Sequence, residues 1–252
     1  MSELRAPGAL LAVLVAMACI CAAPRAAAGI IIDTTRVVYP AGKREVTISV
    51  RNSSTTPSLV QAWLDAGDAN SKPGETAVPF VLTPPVFRLD PTKSQSVRLV
   101  YTQEPLPADR ESLFWLNVMD IPPRAASNPE RPNQLEMAFK HRMKVFFRPA
   151  GLKGSAAEAP AQLSWKLAIS GGKLTGIQVA NPTAFHVSLI LVAATVNGQT
   201  VKAKTDIVAP FGSRLFELEA PVNAPASPLQ LDYTFVNDYG GNVKAVASAP
   251  VR

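Results

Sequence analysis

Cysteine is nearly absent from this chain of 252 residues, and both copies, Cys19 and Cys21, lie close to its start. The rest of the sequence can form no disulfide, so its fold depends on hydrophobic cores alone. Histidine occurs only twice, and there is no Gly-x-Ser-x-Gly, no His-Glu-x-x-His and no glycine-rich phosphate loop. These absences argue against catalytic residues, a metal site and a cofactor, and we expect none of them.

Aromatic residues are also few, at 7% of the chain, and no stretch is strongly charged. The formal net charge of +6 is modest for this length, and the basic residues are scattered, which argues against nucleic acid as a partner. Proline is abundant, with 23 residues, and the apolar residues recur mostly with a period of two. This combination predicts an all-β protein with irregular connections.

Residues 1–28 are predicted to be a signal peptide. Arg5 precedes an uncharged apolar run over residues 8–23, and residues 26–28 are three alanines, which predict cleavage before Gly29. The run is short for a membrane span, so we expect no span in the mature chain. A lipoprotein acylated at Cys19 or Cys21 is an alternative, although the residues before each cysteine fit that reading poorly.

Two regions of strand-like sequence follow the leader. Residues 45–51 alternate cleanly, and six or seven short strands separated by turns fit into about 120 residues, which is a sandwich pattern. Residues 151–160 are small, polar and without apolar alternation, so they form the best linker candidate. We therefore predict an N-terminal domain over residues 29–150 and a C-terminal domain over residues 151–252.

The stretch 135–149 has the most unusual pattern. One set of alternate positions is apolar, Leu135, Met137, Phe139, Met143, Val145 and Phe147, while the opposite set contains the basic residues Lys140, Arg142, Lys144 and Arg148. On pattern alone this is either a half-buried strand with a solvated charged face, or an edge strand that offers its backbone and large side chains to a partner.

Several motifs point to one family. The stretches are 33–40 (DTTRVVYP), 83–87 (TPPVF), 106–118 (LPADRESLFWLNV), 142–149 (RMKVFFRP), 181–183 (NPT) and 237–240 (NDYG). Together they resemble the periplasmic pilus chaperones of the chaperone–usher pathway, and they cover the chain after the leader in the order expected of that family.

The resemblance implies two immunoglobulin-like β-sandwich domains set at an angle with a cleft between them, and no enzyme activity. It implies a periplasmic protein that binds pilin subunits one to one and delivers them to an outer-membrane usher. Free copies would be able to form a homodimer in which each copy covers the exposed strand of the other. The short loop at residues 122–134, together with the missing cysteine pair, resembles the short-loop subclass.

The resemblance also implies roles for eight residues. The strand donated to the pilin would present Leu135, Met137 and Phe139. Two cations in the cleft, Arg36 and Lys144, would bind the C-terminal carboxylate of the pilin. An ionic network between the domains would contain Glu111, Arg148 and Asp238. If the resemblance is left out, the expected interpretation of the two cations is ordinary surface charges, and that of Glu111 with Arg148 is a local surface ion pair.

Two other classes of protein compete with this reading. An enzyme is disfavoured by the missing motifs. An exported structural or adhesive sandwich, such as a pilin, would carry a donor extension at its start and usually a disulfide, and this sequence has neither. A chaperone is expected to co-purify one to one with a subunit and to be absent from the assembled fibre.

Overall fold

The computed structural model describes residues 29–124, 135–196 and 198–251. The predicted leader, residues 1–28, and most of the loop at 122–134 lie outside the described residues. The described chain forms 17 β-strands, and its helical content is a single 3₁₀ turn, Ala159–Gln162. The strands form two immunoglobulin-like sandwiches, so the predicted all-β, two-sandwich fold is confirmed.

Nine strands form domain one, in two sheets of order β1-β3-β7-β5 and β2-β9-β8-β4-β6. Pairing is antiparallel throughout except between β2 and β9, which are parallel. The strands are β1 (Ile30–Ile32), β2 (Arg36–Pro40), β3 (Val46–Asn52), β4 (Ser58–Asp65), β5 (Phe80–Thr83), β6 (Val86–Leu89), β7 (Ser94–Tyr101), β8 (Ser112–Ile121) and β9 (Phe139–Arg148).

Two of the connections that carry the chain from one sheet of domain one to the other are very short. The chain passes from β1 in the first sheet to β2 in the second through residues 33–35, and from β5 to β6 through Pro84 and Pro85. The peptide bond before Pro84 is cis. Proline cannot donate to a central ladder, so these two residues fit a junction between the edges of two sheets.

The core of domain one is closed at one end by an aromatic group around Tyr39. Its ring is fully buried and lies 5.5 Å from the ring of Phe80 and 6.1 Å from that of Phe147. The hydroxyl remains satisfied because it accepts a bond from the backbone N–H of Tyr101 and lies 3.0 Å from the carbonyl of Arg44. Tyrosine can therefore be buried here without leaving its polar group unpaired.

Domain two contains eight strands, in sheets of order β10-β11-β15 and β13-β12-β16-β17, with β14 also paired to β12. Its core includes Trp165 and Tyr233, whose rings lie 5.0 Å apart. The strands are β10 (Ser164–Ser170), β11 (Lys173–Ala180), β12 (Val187–Val196), β13 (Gln199–Lys202), β14 (Ile207–Val208), β15 (Ser213–Asn223), β16 (Leu229–Val236) and β17 (Asn242–Ala249).

The strand predicted over residues 135–149 is shorter than its sequence pattern. It begins at Phe139, and residues 135–138 lie outside any strand. The neighbouring β8 provides the reason, because its pairing with β9 ends where Asp120 faces Phe139. Residues before Phe139 have no described strand beside them, so the alternation of their side chains is not accompanied by backbone pairing.

Candidate functional site

The β9 strand has one free edge. Its second half, from Lys144 to Arg148, lies between β2 and β8, but residues 139–143 are paired with β8 alone among the described strands. Their backbone groups on the other side have no strand to bond. Such an edge is a template for pairing with another chain, and natural proteins usually cover or shorten it.

The apolar face of β9 extends beyond the core of the protein. Met143, Val145 and Phe147 point into domain one and are buried. The same alternation continues backwards to Phe139, which is 53% exposed, Met137, 52%, and Leu135, 85%. Three large apolar side chains next to a free edge form a surface that an ordinary monomer would hide.

The opposite face of β9 carries a row of cations, most of which already have partners. Lys140 donates to the carbonyl of Ala69 at 2.6 Å, and Arg142 donates to the buried Asp65 at 2.6 Å. Although burial opposes ionisation, hydrogen bonds from Asn117 and Arg142 hold the pKa of Asp65 below its ordinary 3.8. The charge of Arg142 is thus already compensated inside the protein.

Lys144 differs from its neighbours in this row. Its ammonium makes no hydrogen bond or ion pair with any residue that the structure describes, and it lies 5.4 Å from the centre of the Trp115 ring. Burial lowers the pKa of Lys144 below 10.5, the nearby charge of Arg36 lowers it further, and Asp206 opposes the shift. An acceptor that reached this ammonium would relieve an unfavourable environment.

Arg36 lies beside Lys144. It is the first residue of β2 and faces Lys144 in the parallel pairing, more than 100 positions away in sequence. One guanidinium nitrogen donates to the carbonyl of Val236 in domain two at 2.9 Å, while the buried Nε has no partner among the described residues. Burial lowers the pKa of Arg36, and the charges of Asp238 and Glu111 oppose that effect.

Arg148, at the end of β9, joins two carboxylates from different domains. Its Nε donates to Glu111 of domain one at 2.7 Å, and its two terminal nitrogens donate to Asp238 of domain two at 2.8 and 3.0 Å. Although burial opposes the effect, the hydrogen bonds that Arg148 donates to Asp238 and Glu111, together with the charges of these carboxylates, raise the pKa of Arg148. The structure thus brings these three predicted network residues into direct contact.

The sequence reasoning missed a fourth member of this network. The backbone N–H of His186 donates to Glu111 at 2.8 Å, and its ring Nδ1 lies 3.3 Å from the same carboxylate oxygen. The backbone N–H of Glu111 in turn donates to the carbonyl of Ala184 at 2.9 Å. His186 shows no local pattern of its own, because its role depends on a residue 75 positions away.

A close backbone contact also joins the domains. Gly240 has φ +84°, and a Cβ at this position would overlap the hydroxyl of Thr35. A side chain here would therefore be strained by the backbone and would also clash with the first domain. The motif at 237–240 signalled a turn, but it gave no sign that Thr35 would be its neighbour.

The structure shows neither a metal site nor a membrane helix within the residues it describes. No group of three or more histidine, cysteine or carboxylate side chains could hold a metal ion in this part of the chain. No helix in the same residues has the length and apolar character needed to cross a bilayer.

Comparison with known proteins identifies the family. Residues 29–153 match the pili and flagellar-assembly chaperones, PapD N-terminal domain, and residues 158–247 match the pili assembly chaperone PapD, C-terminal domain. The probable fimbrial chaperone YadV of Escherichia coli K12 is 38% identical over 222 residues, which are 87% of this chain and 89% of that protein.

Two solved structures agree with these matches. A crystal structure of the YadV chaperone is 34% identical with a TM-score of 0.74, and the match covers 88% of this chain and 100% of that one. A complex of the Salmonella enterica SafA pilin with the SafB chaperone contains a chain that is 28% identical with a TM-score of 0.69, over 91% of this chain and 99% of that one. Since the two domain matches follow in order and span most of the sequence, the chain belongs to the PapD family of pili assembly chaperones.

Proposed function

We propose that this protein is a periplasmic chaperone that binds pilin subunits one to one by lending them a β-strand, and that it delivers them to an outer-membrane usher. The observation that carries the proposal is the free edge of β9, continued by Leu135, Met137 and Phe139. An incomplete pilin sandwich would gain backbone hydrogen bonds from this edge and would bury the three side chains in its open groove. The SafA–SafB complex supports a pilin as the kind of partner.

The direction of the client strand follows from β2. This strand runs parallel to β9, begins at Arg36 opposite Lys144, and occupies the position next to β9 on the side away from β8. A client on the free edge would occupy the same position farther up the strand. If it also runs parallel to β9, its last residue arrives beside Arg36 and Lys144. An antiparallel client would bring its first residues there instead.

The charges at that point favour a carboxylate. Lys144 has an ammonium without a hydrogen-bond acceptor among the described residues, and Arg36 uses one described hydrogen bond although a guanidinium has five N–H groups. A terminal carboxylate would gain charge-assisted bonds and reduce the repulsion between the two cations. The anchored end would also fix the register of the strand pairing, because a slip of one residue would turn every client side chain to the opposite face.

Export and self-pairing precede client binding in the proposed function. The leader, residues 1–28, directs export and is removed before Gly29, which leaves the chaperone in the periplasm. Before a client arrives, two free copies pair through their exposed edges and cap each other as a homodimer. The short connection at 122–134 supports assignment to the short-loop subclass.

The test is a binding titration with a synthetic peptide that copies the C-terminal strand of a pilin, with either a free or an amidated C-terminus. Wild-type protein is expected to bind the free acid at least tenfold more tightly than the amide. Met137→Arg is expected to abolish binding, whereas Val81→Arg, which adds the same charge at an exposed position on β5, is the matched control.

Lys144→Ala is expected to remove the preference for the free acid, while Lys140→Ala, on the same face of β9, is expected to keep it. Lys144 is a cleaner target than Arg36, because Arg36 also holds the carbonyl of Val236 in domain two. Equal affinity of wild type for acid and amide would refute the anchor. Equal binding by Met137→Arg and wild type would refute the donated strand.

A further inference from the structure

Asp120 is an acidic residue at a position that its strand directs inward. On β8 the residues Phe114, Leu116 and Val118 point into the core, and Asp120 continues the same alternation at the end of the strand. It is only 5% exposed. One carboxylate oxygen accepts a hydrogen bond from the backbone N–H of Ile30 at 3.2 Å, while the other has no partner among the described residues. A buried carboxylate that is half satisfied is unusual and calls for a cation.

Gly29 lies beside this carboxylate. A Cβ built on Gly29 would overlap Asp120 Oδ2, the oxygen that already accepts from Ile30, well inside the 3.0 Å that real Cβ atoms respect. The carbonyl of Gly29 is held in place, because the backbone N–H and the hydroxyl of Ser53 both donate to it, at 3.1 and 2.9 Å. The Cα of Gly29 is therefore fixed beside the buried acid.

The geometry at this Cα provides a place for an amino group. The nitrogen and the Cβ position are two tetrahedral corners of the same atom, so a rotation of about 120° around the Cα–C bond moves the nitrogen into the Cβ position. A carbon is too close to Asp120 there, whereas a charged nitrogen at the same corner can hydrogen-bond the carboxylate, at about 2.7–2.9 Å, after a shift of a few tenths of an ångström at the end of the Asp120 side chain. In an uncleaved chain this nitrogen is an amide with one N–H, whereas cleavage before Gly29 makes it a charged group with three.

We infer that the α-ammonium group of Gly29, released by removal of the leader, forms an ion pair with the buried carboxylate of Asp120. The inference rests on the cleavage site included in the proposed function. Asp120 lies directly opposite Phe139, where the described pairing of β8 and β9 ends. The ion pair would therefore tie β1 of one sheet to β8 of the other at the end of the sandwich where the free edge begins, and export would complete the fold at the site of client binding.

The test compares two chains made without the leader, one that begins at Gly29 and one that keeps Ala28 before it. Both are released from a fusion partner by a protease that leaves no extra residue, and each is made with Asp120 and with Asp120→Asn. With Asp120, the extra alanine is expected to lower the thermal midpoint by about 3–8 °C, because it moves the charge away from the acid. With Asp120→Asn, the two chains are expected to melt together.

A second measurement needs no change at Asp120. In the chain that begins at Gly29, the α-amino group, followed by NMR with labelled glycine, is expected to titrate above the value of about 8 that is usual for a free terminus. Equal midpoints for the two chains with Asp120, or an ordinary titration, would overturn the ion pair. N-terminal sequencing of protein from the periplasm checks the cleavage site separately, and client capture checks the proposed function separately.

Discussion

Replacing Arg148 with alanine is expected to weaken the junction between the domains more than any loss of a surface ion pair would. Glu111 is the critical partner, because its side chain is 1% exposed and Arg148 donates to it at 2.7 Å. Without Arg148 this carboxylate keeps the N–H and the ring of His186 but loses its permanent positive charge. Asp238 is 33% exposed, so water can replace much of what it loses.

The magnitude follows from this difference in burial. Leaving a buried charge without its partner typically costs about 3–5 kcal/mol, and losing an exposed pair costs about 1 kcal/mol or less. Arg148 is itself partly exposed, so we expect a loss of about 3–4 kcal/mol in the free energy of unfolding. For a protein of this size that corresponds to a fall of roughly 6–15 °C in the melting midpoint.

Differential scanning calorimetry measures the effect, with Arg88→Ala as the matched control. Arg88 bonds Asp90 at 2.9 Å, but their side chains are 71% and 58% exposed, so its loss is expected to change the midpoint by about 4 °C or less. Glu111→Gln in the Arg148→Ala background is expected to restore part of the loss, because a neutral amide no longer leaves a buried charge. Similar midpoints for Arg148→Ala and Arg88→Ala would refute the reasoning.

Three further perturbations test other parts of the structure. In the proposed function the client carboxylate binds charged Lys144, whose pKa lies below 10.5, so affinity should fall as pH rises through that pKa; in titrations of Lys144→Arg this fall should vanish. Gly240→Ala should lower the melting midpoint by several degrees more than Gly198→Ala, which has a similar φ of +80° but open space around it; equal losses would exclude the clash with Thr35. The folded-state pKa of Asp65 is depressed, so the stability that its carboxylate contributes is present above about pH 3.8 and is lost as pH falls through the lower folded pKa. The urea midpoint of Asp65→Asn should therefore depend less on pH between pH 2 and 6 than that of wild type, and an unchanged dependence would contradict this.

The sequence was sufficient for the strands and for the family. A period of two predicted the strand at 45–51, and the structure has β3 at Val46–Asn52. The family matches confirm a chaperone family, and with it the prediction that the chain is not an enzyme. These successes share a cause, since alternation and short motifs are local properties that remain visible in a single sequence.

The contacts that position the site were not visible in the same way. His186 meets Glu111 across 75 residues, Arg142 meets Asp65 across 77, and Ile30 meets Asp120 across 90. Each pair is brought together by the folding of the sheets, and the sequence around one partner contains no pattern that identifies the other. The start of β9 at Phe139 is a similar case, because it depends on where the neighbouring strand stops and not on the alternation of its own residues.

The order of features along β9 would allow a single strand to combine three tasks in the proposed function. Arg148 at its end contacts the second domain, Lys144 marks the point where β2 joins, and the free edge occupies the residues before it. Lys144 follows Phe139 by an odd number of positions, so their side chains point to opposite faces of the sheet. A client strand would lie in the plane of the sheet between those faces, and its end could reach the cation while its backbone pairs with the edge.

At about 3.3 Å per residue, Phe139 lies about 17 Å from Lys144 and Leu135 up to about 30 Å. A client fixed at its carboxylate therefore has one register along the whole edge, and each apolar side chain of the chaperone meets one place in the groove of the client.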